Sequence, residues 1–279
     1  MYLLALILTT MLFLYYGNNI IETNYYEIKS QKISPTFNNF KILQLSDLHS
    51  KNFINNNGYL IKKIDSENPD IIVMTGDMIN NKDKNYKNFF QLSSYLSSKY
   101  DTYYIFGNHE ENLESHLKEY LKSKLQELGI KALYNEKVSL KRGNNSINLY
   151  GLSLNMKYYK KPFKNSEDFN IIKNEKLLGI IDKNHFNILL AHNPLYFDIY
   201  SKWGADLILS GHIHGGIIRL PFIGGVLSPE RTLFPKYSSG KYTMNDSKLI
   251  VNRGLGNSKV KLRLFNRPEI TVVTLKSAI

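Results

Sequence analysis

Five of the seven histidines stand in short polar turns, each within two residues of an aspartate, an asparagine or a glycine. Asp47 and His49 are two residues apart, as are His212 and His214. Asp77 follows Gly76, Asn108 to Glu110 follow Gly107, and His192 precedes Asn193 and Pro194. Imidazole and carboxylate donors suit Mn, Fe, Zn or Co. Side chains two apart on an extended segment or tight turn point to the same side, so each pair can offer two donors to one ion. Glycines beside Asp77, Asn108 and His212 let the backbone bend and a ligand come close. Two carboxylates (Asp47, Asp77), four histidines (His49, His192, His212, His214) and Asn108 exceed the needs of one ion. They match two ions with one carboxylate between them. Such a pair, about 3.5–4 Å apart, activates a water and clamps the oxygens of an in-line phosphoryl displacement. Cysteine is absent, so thiolate sites, cysteine nucleophiles and disulfides are excluded.

These turns need a scaffold that brings them together. Short apolar runs at residues 40–45, 70–74, 102–106, 147–152, 187–191 and 206–209 read as buried strands, with two more at 249–252 and 270–275. Helical patterns lie between them at 59–66 and 86–96. Leu113, Leu117, Leu121, Leu125 and Leu128 mark an amphipathic helix that stops at Gly129. Five of the first six runs lead straight into one of the polar turns. Sites in open α/β sheets form beyond the carboxyl ends of strands, where this order would place them. No internal repeat, low-complexity linker or second domain boundary is visible. Residues 156–176, polar and aromatic with Pro162, read as a long loop or cap near the site.

The ordered set Asp47-Leu48-His49, Gly76-Asp77, Gly107-Asn108-His109-Glu110, His192 and Gly211-His212-Ile213-His214 resembles the calcineurin-like metallophosphoesterases. The resemblance covers roughly residues 40–275. It implies an α/β fold, a four-layer α/β/β/α sandwich with a dinuclear site at one edge. Asp47, His49, Asp77 and His214 would hold one metal; Asp77, Asn108, His192 and His212 would hold the other, with Asp77 bridging. A metal-bridging hydroxide would be the nucleophile. His109 would stabilise the leaving oxygen or act as general acid, with Glu110 orienting it. The two cations would be Mn, Fe or Zn. Further on, His214-Gly215-Gly216, Arg219 to Gly225, Phe234 to Gly240, Asn252 to Gly256 and Arg263 to Ile270 resemble the membrane-associated YkuE- and YaeI-type branch, and more distantly the hydrolases of UDP-2,3-diacylglucosamine. Ile217 departs from that branch, which often carries Gln there.

The chain has 279 residues with 43% apolar and 22% charged side chains, an ordinary globular balance that excludes collagen-like and disordered classes. Its net charge of +12 favours acidic partners, and residues 231–267 hold nine Lys/Arg against Asp246 alone. Lys259, Lys261 and Arg263 alternate with Val260, Leu262 and Leu264, a strand with one basic face: a solvated face, or a contact for anionic lipid or a phosphorylated substrate. His116 and His185 read as solvated, and Gly254-Leu255-Gly256 as a turn. Arg142 and Arg219 carry no reading. Residues 1–21 hold no charged side chain and read as a retained single-pass anchor in the cell membrane, ahead of a cleaved signal or a buried helix. The flanking Lys29, Lys32, Glu22 and Glu27 do not fix the side on which the domain lies. Residues 22–36 read as a tether with an initial strand, and 37–279 as the metallophosphoesterase domain.

The leading expectation is a metal-dependent phosphohydrolase that acts on a phosphodiester or pyrophosphate of a lipid- or envelope-linked substrate, at an anionic membrane surface and with no obligate protein partner. A nuclease of the same family would use the basic charge for phosphate-backbone binding, but no nucleic-acid-binding module is recognisable. A non-catalytic membrane-surface binding protein on the same scaffold would have lost ligands, and all seven are present.

Overall fold

The computed structural model describes residues 2–160, 178–220, 222–228, 232–257 and 263–278. Two six-stranded sheets and a small hairpin carry the chain. The first sheet contains β1 (Glu22–Ser30), β2 (Lys41–Leu45), β3 (Ile71–Met74), β4 (Asp101–Tyr104), β5 (Lys131–Ala132) and β14 (Glu269–Ser277), in the order β1-β14-β2-β3-β4-β5. The second contains β6 (Glu136–Arg142), β7 (Asn145–Leu152), β8 (Asn187–Ala191), β9 (Leu207–Ser210), β12 (Gly240–Met244) and β13 (Ser247–Val251), in the order β12-β13-β9-β8-β7-β6. β10 (Ile218–Leu220) pairs antiparallel with β11 (Gly224–Leu227). β2 to β5 run parallel, as do β7, β8, β9 and β13.

Continuous burial marks the central strands. β3 is Ile-Ile-Val-Met and β8 is Asn-Ile-Leu-Leu-Ala, buried at every position, as strands covered on both faces must be. Alternation then sorts side chains between layers. Ile71, Val73, Ile188, Leu190, Leu207 and Leu209 meet in one core between the sheets. Ile72 and Met74 turn the other way, against Leu60 and Ile64 of α2 (Gly58–Glu67), Phe89 and Leu92 of α3 (Lys87–Lys99), and Leu121 and Leu125 of α5 (Ser115–Glu127). Leu189, Ala191 and Ile208 face Phe197, Ile199 and Tyr200 of α7 (Phe197–Trp203). The layers therefore run helices, sheet, sheet, helix, a mixed α/β fold. Two short helices, α4 (Asn108–Glu111) and α6 (Lys157–Lys160), complete the set.

All eight expected strands are present, with boundaries shifted by up to two residues. The leucine pattern divides: Leu113 lies in the turn after α4, and α5 begins at Ser115. The strand expected within 22–36 is β1, paired in parallel along its whole length with β14. Residues 161–176 of the expected cap, and Lys259, Val260, Lys261 and Leu262 of the expected basic strand, lie outside the described residues. Arg263 is buried rather than solvated: its guanidinium donates to the carbonyls of Arg253, Gly256 and Asn266.

The expected single-pass anchor is not supported. A helix α1 does form, over Tyr2–Asn19, but no helix among the described residues is long and apolar enough to cross a membrane. The far end of the apolar run belongs to the domain. Gly17 is buried, Asn18 Oδ1 accepts from the Arg263 N–H at 3.1 Å, Lys51 donates to the Asn18 carbonyl, and Arg267 Nε donates to the Ile20 carbonyl at 3.1 Å. Lys51 and Arg267 thus satisfy carbonyls at and just beyond the helix C-terminus. Phe13 and Tyr16 also touch Phe265 and Arg267, so what extends beyond these contacts, Tyr2 to Leu12, is about 16 Å of helix at 1.5 Å per residue, against a hydrocarbon core of about 30 Å.

Candidate metal centre

Six of the seven expected ligands converge at the carboxyl ends of β2, β3, β8 and β9. Asp47, His49 and His214 bring donor atoms within 4.8 Å of one another; so do Asp77, His192 and His212, and so do His49, Asp77 and His109. Asp47, Asp77, His49, His192, His212 and His214 are all buried. Asn108 opens α4 beside them.

The imidazoles are held with their lone pairs inward. His192 Nδ1 lies 2.7 Å from the Thr75 carbonyl, an acceptor only, so Nδ1 carries the proton. In the neutral ring that a cation would bind, His192 Nε2 is then the lone pair; it is buried and without a hydrogen-bond partner, 3.4 Å from Asp77 Oδ2. Asn80 treats His49 alike: its Oδ1 lies 3.0 Å from His49 Nδ1, and its Nδ2 donates to the His49 carbonyl at 2.9 Å. His49 Nε2 then faces His214 Nε2 at 3.0 Å. Asn108 Oδ1 is also buried and unpartnered. Such outer partners fix the tautomer and orientation of ligating histidines. Thr75 and Asn80 were not singled out from sequence; Thr75 acts through its main chain, which no side-chain pattern records.

Charge points the same way. Burial would raise Asp77, yet the neighbouring His192, His109 and His49 hold its carboxyl well below the usual range. Burial would lower His192, yet Asp77 and Asp47 hold its imidazolium up to about 10. Burial and the facing His214 push His49 down to about 3. Two buried carboxylates thus draw positive charge into the space between them, while His49 offers a neutral donor. A donor set of inward carboxylates, lone-pair imidazoles and an unpaired amide oxygen fits divalent cations.

The close approach needs small residues. A Cβ on Gly107 would run into Asp77 Oδ1, and one on Gly211 into Asp47 Oδ2. Gly254 and Gly256, read as a turn, have a second role: the Leu255 and Gly256 N–H groups donate to the carbonyls of Ser46 and Asp47 at 3.0 and 2.7 Å, which clamps the Asp47 turn.

The calcineurin-like phosphoesterase family model matches residues 40–216. The chain belongs to the calcineurin-like phosphoesterases. It is similar to the metallophosphoesterase YkuE of Bacillus subtilis, 32% identical over 268 residues that cover 94% of this chain and 88% of the relative. It is also similar to YkoQ of the same organism, at 28% with 93% of each chain covered, and to the phosphodiesterase YaeI of Escherichia coli, at 28% with 85% and 82% covered. It is thus a metal-dependent phosphoesterase, of a family that uses divalent metals.

Two expected catalytic residues fall in different places within this phosphoesterase. His109 sits at the rim, partly exposed, with its ring centroid 4.6 Å from that of His49. Asn81 N–H donates weakly to its Nδ1 at 3.4 Å, which leaves the proton on Nε2, and burial lowers its pKa from the ordinary imidazole value. Glu110 does not take the orienting place expected for it. Its two carboxylate oxygens accept main-chain N–H groups from Asp77, Met78, Ile79 and Gly107 at 2.8–3.2 Å. Burial and the Asp77 charge push its carboxyl up to about 7. It braces the Asp77 turn and leaves His109 alone. His116 pairs with Glu114 on the surface, and His185 with Asp182. Arg142 makes an ion pair with Asp70 and stacks 4.9 Å from the Phe40 ring, far from any of these ligands in the fold.

Proposed function

We propose that this phosphoesterase hydrolyses a phosphodiester or pyrophosphate bond at a two-cation centre. Asp47, His49, Asp77 and His214 would hold one cation, and Asp77, Asn108, His192 and His212 the other. One observation carries the reading: the Asp47–His49–His214 and Asp77–His192–His212 clusters are linked through His49 and Asp77, which share a third cluster with His109, while His49 and His192 are locked by Asn80 and Thr75 with their Nε2 atoms inward. Divalent cations so held supply a nucleophile at neutral pH and neutralise charge on the phosphoryl oxygens. Mn, Fe and Zn all suit the donors. The chain's own groups do the rest. The Thr75 carbonyl and Asn80 keep His192 and His49 from rotating, and Glu110 holds the Asp77 main chain. His109, with its proton on Nε2 at the rim, is placed to donate it to the leaving oxygen. We read the substrate as lipid- or envelope-linked. The net charge of +12 and the exposed Phe222, Ile223, Leu233 and Phe234 that follow His214 support an anionic, partly apolar molecule.

The test is hydrolysis of bis(p-nitrophenyl) phosphate by the full chain, with Mn²⁺ added and after chelation, beside a metal count. Turnover should need metal. Asp77→Asn should lose both cations and all activity, while His109→Ala should keep both and lose roughly 10²–10⁴-fold in kcat, the ordinary worth of an acid catalyst. Two bound cations with no turnover on diesters or pyrophosphates would remove the proposal.

A further inference from the structure

A cavity of about 690 Å³ opens beside the centre, between the C-terminal half of α1, the β10–β11 hairpin and the loop after β13. Its walls divide by chemistry. Phe13, Leu220, Phe222, Ile223 and Phe265 give an apolar side that is largely exposed, with Phe13 and Phe265 in edge contact at 5.4 Å. Arg219, Arg253 and Arg267 give a basic side that also holds Glu22; Arg267 is engaged by the Ile20 and Ile21 carbonyls, which leaves Arg219 and Arg253 to compare.

The two arginines differ in one respect. Arg253 is satisfied: it pairs with Glu269 and, at 3.0 Å, with Glu22. Arg219 is half-buried and has no carboxylate within ion-pair distance among the described residues; its polar contact is a long one, Nη1 to the Gly215 carbonyl at 3.4 Å. A guanidinium offers five donors in a fork that matches phosphate, and leaving it unpaired against apolar walls is costly. Gly215 follows the candidate ligand His214 directly, so this one contact sets the Arg219 fork against the segment that carries the ligand. Asn266 ties that segment down by donating to the carbonyls of His214 and Gly216 at 2.6 and 2.8 Å.

We infer that this cavity binds a phosphorylated amphiphile, with Arg219 on the phosphate and the alkyl part along Phe13, Leu220, Phe222, Ile223 and Phe265. Arg219 is then a specificity residue: it would hold a second anionic group of the substrate while the scissile phosphate lies at the cations. The role of Arg219 in substrate choice rests on the two-cation reading; the binding site does not.

The experiment is titration calorimetry of the full chain after chelation, so that the centre cannot compete for phosphate. The probe is decyl phosphate below its micellar concentration, with decanol and inorganic phosphate as controls. Decyl phosphate should bind with a stoichiometry of one, and each control at least about tenfold more weakly, since each lacks one half of the recognition. Arg219→Gln should weaken decyl phosphate roughly ten- to hundredfold, the worth of a charge-assisted contact, and leave decanol unchanged. Phe222→Ser, at a fully exposed position, should weaken decyl phosphate and decanol alike. Equal binding to wild type and Arg219→Gln, or inorganic phosphate binding as tightly as the amphiphile, would overturn the inference. Because the protein carries no metal in this assay, its failure leaves the hydrolysis test untouched. Conversely, loss of the two-cation reading leaves decyl phosphate binding to be observed.

Discussion

Glu110 separates two accounts of the Asp77 turn. Its carboxylate is wholly buried, and its oxygens divide the work: Oε1 accepts from Met78 and Ile79 at 2.8 and 3.2 Å, and Oε2 from Asp77 and Gly107 at 2.9 and 2.8 Å. Glu110→Gln keeps the shape and replaces one oxygen by an NH₂ group. Whichever way the amide sits, two buried N–H donors lose their acceptor and face another donor. Each such orphan costs about 1–3 kcal/mol, so the pair costs about 2–6. Removing a charge that burial already disfavours offsets part of this and places the net loss near the lower end, about 2–3 kcal/mol. For a chain of this size that is a fall in Tm of roughly 5–10 °C. The Asp77 carboxylate should also lose its fixed position, so Mn²⁺ affinity should drop about tenfold or more while kcat at saturating metal stays within a few-fold of wild type. Calorimetric unfolding of the chelated protein and a metal titration of diesterase activity give the two numbers. An unchanged Tm and metal affinity with kcat lost would refute the bracing role and return Glu110 to the chemistry beside His109.

Chelation should destabilise the wild-type protein. Cations bound a thousandfold above their Kd add about 4 kcal/mol, so removing them should lower Tm by roughly 10 °C, and Asp77→Asn should show no such metal-dependent difference; a Tm indifferent to metal content would argue against a centre that holds buried charge together. Away from the centre, Asp65 takes bonds from Tyr95 at 2.5 Å, Tyr100 at 2.7 Å and Lys99 at 2.9 Å. Burial would raise it, but these bonds outweigh that and hold its carboxyl below the ordinary 3.8. A depressed folded pKa adds stability that is present above the unfolded value and lost as pH falls through the folded one. The Tm gap between wild type and Asp65→Asn should therefore be steady at neutral pH and close below about pH 4, and for so solvated a group it should be worth about 1 kcal/mol or less; a gap that widens in acid would contradict the sign.

Much of this was legible because the chemistry and the fold share one pattern. The buried strands announce themselves as apolar runs, since parallel strands covered on both faces cannot alternate. The polar turns sit where those runs stop, so one reading placed both β2 and Asp47, both β3 and Asp77, both β9 and His212. Residues whose role lies in the main chain, such as the Thr75 carbonyl that fixes His192, left no such mark. The helix α1 misled for a related reason: an apolar run states that residues avoid water, and cannot state that Asn18 and Ile20 are captured by Lys51, Arg263 and Arg267 from elsewhere in the chain.

The geometry of the turns was hidden in a deeper way. Asp47, His49, Asp77, His212 and His214 all have positive φ, between 47° and 74°. Non-glycine residues held there cost of order 1–3 kcal/mol each and persist only where surroundings over-determine them. Those surroundings come from distant segments. The Asp47 and His49 N–H groups donate to the carbonyls of Gly76 and Asp77 at 3.0 Å, and the His212 N–H donates to both Asp47 oxygens at 3.1 Å. The Asp47 turn is thus bent by its neighbour's main chain and the His212 turn by the Asp47 carboxylate, and neither would adopt the shape alone. Aspartate and histidine in a Gly-flanked turn state which donors are available; the left-handed backbone that aims Asp47 with His49, and His212 with His214, into one space is a property of the assembled sheet edge. That is why spacing could name the candidate donors, while their inward aim had to come from the fold.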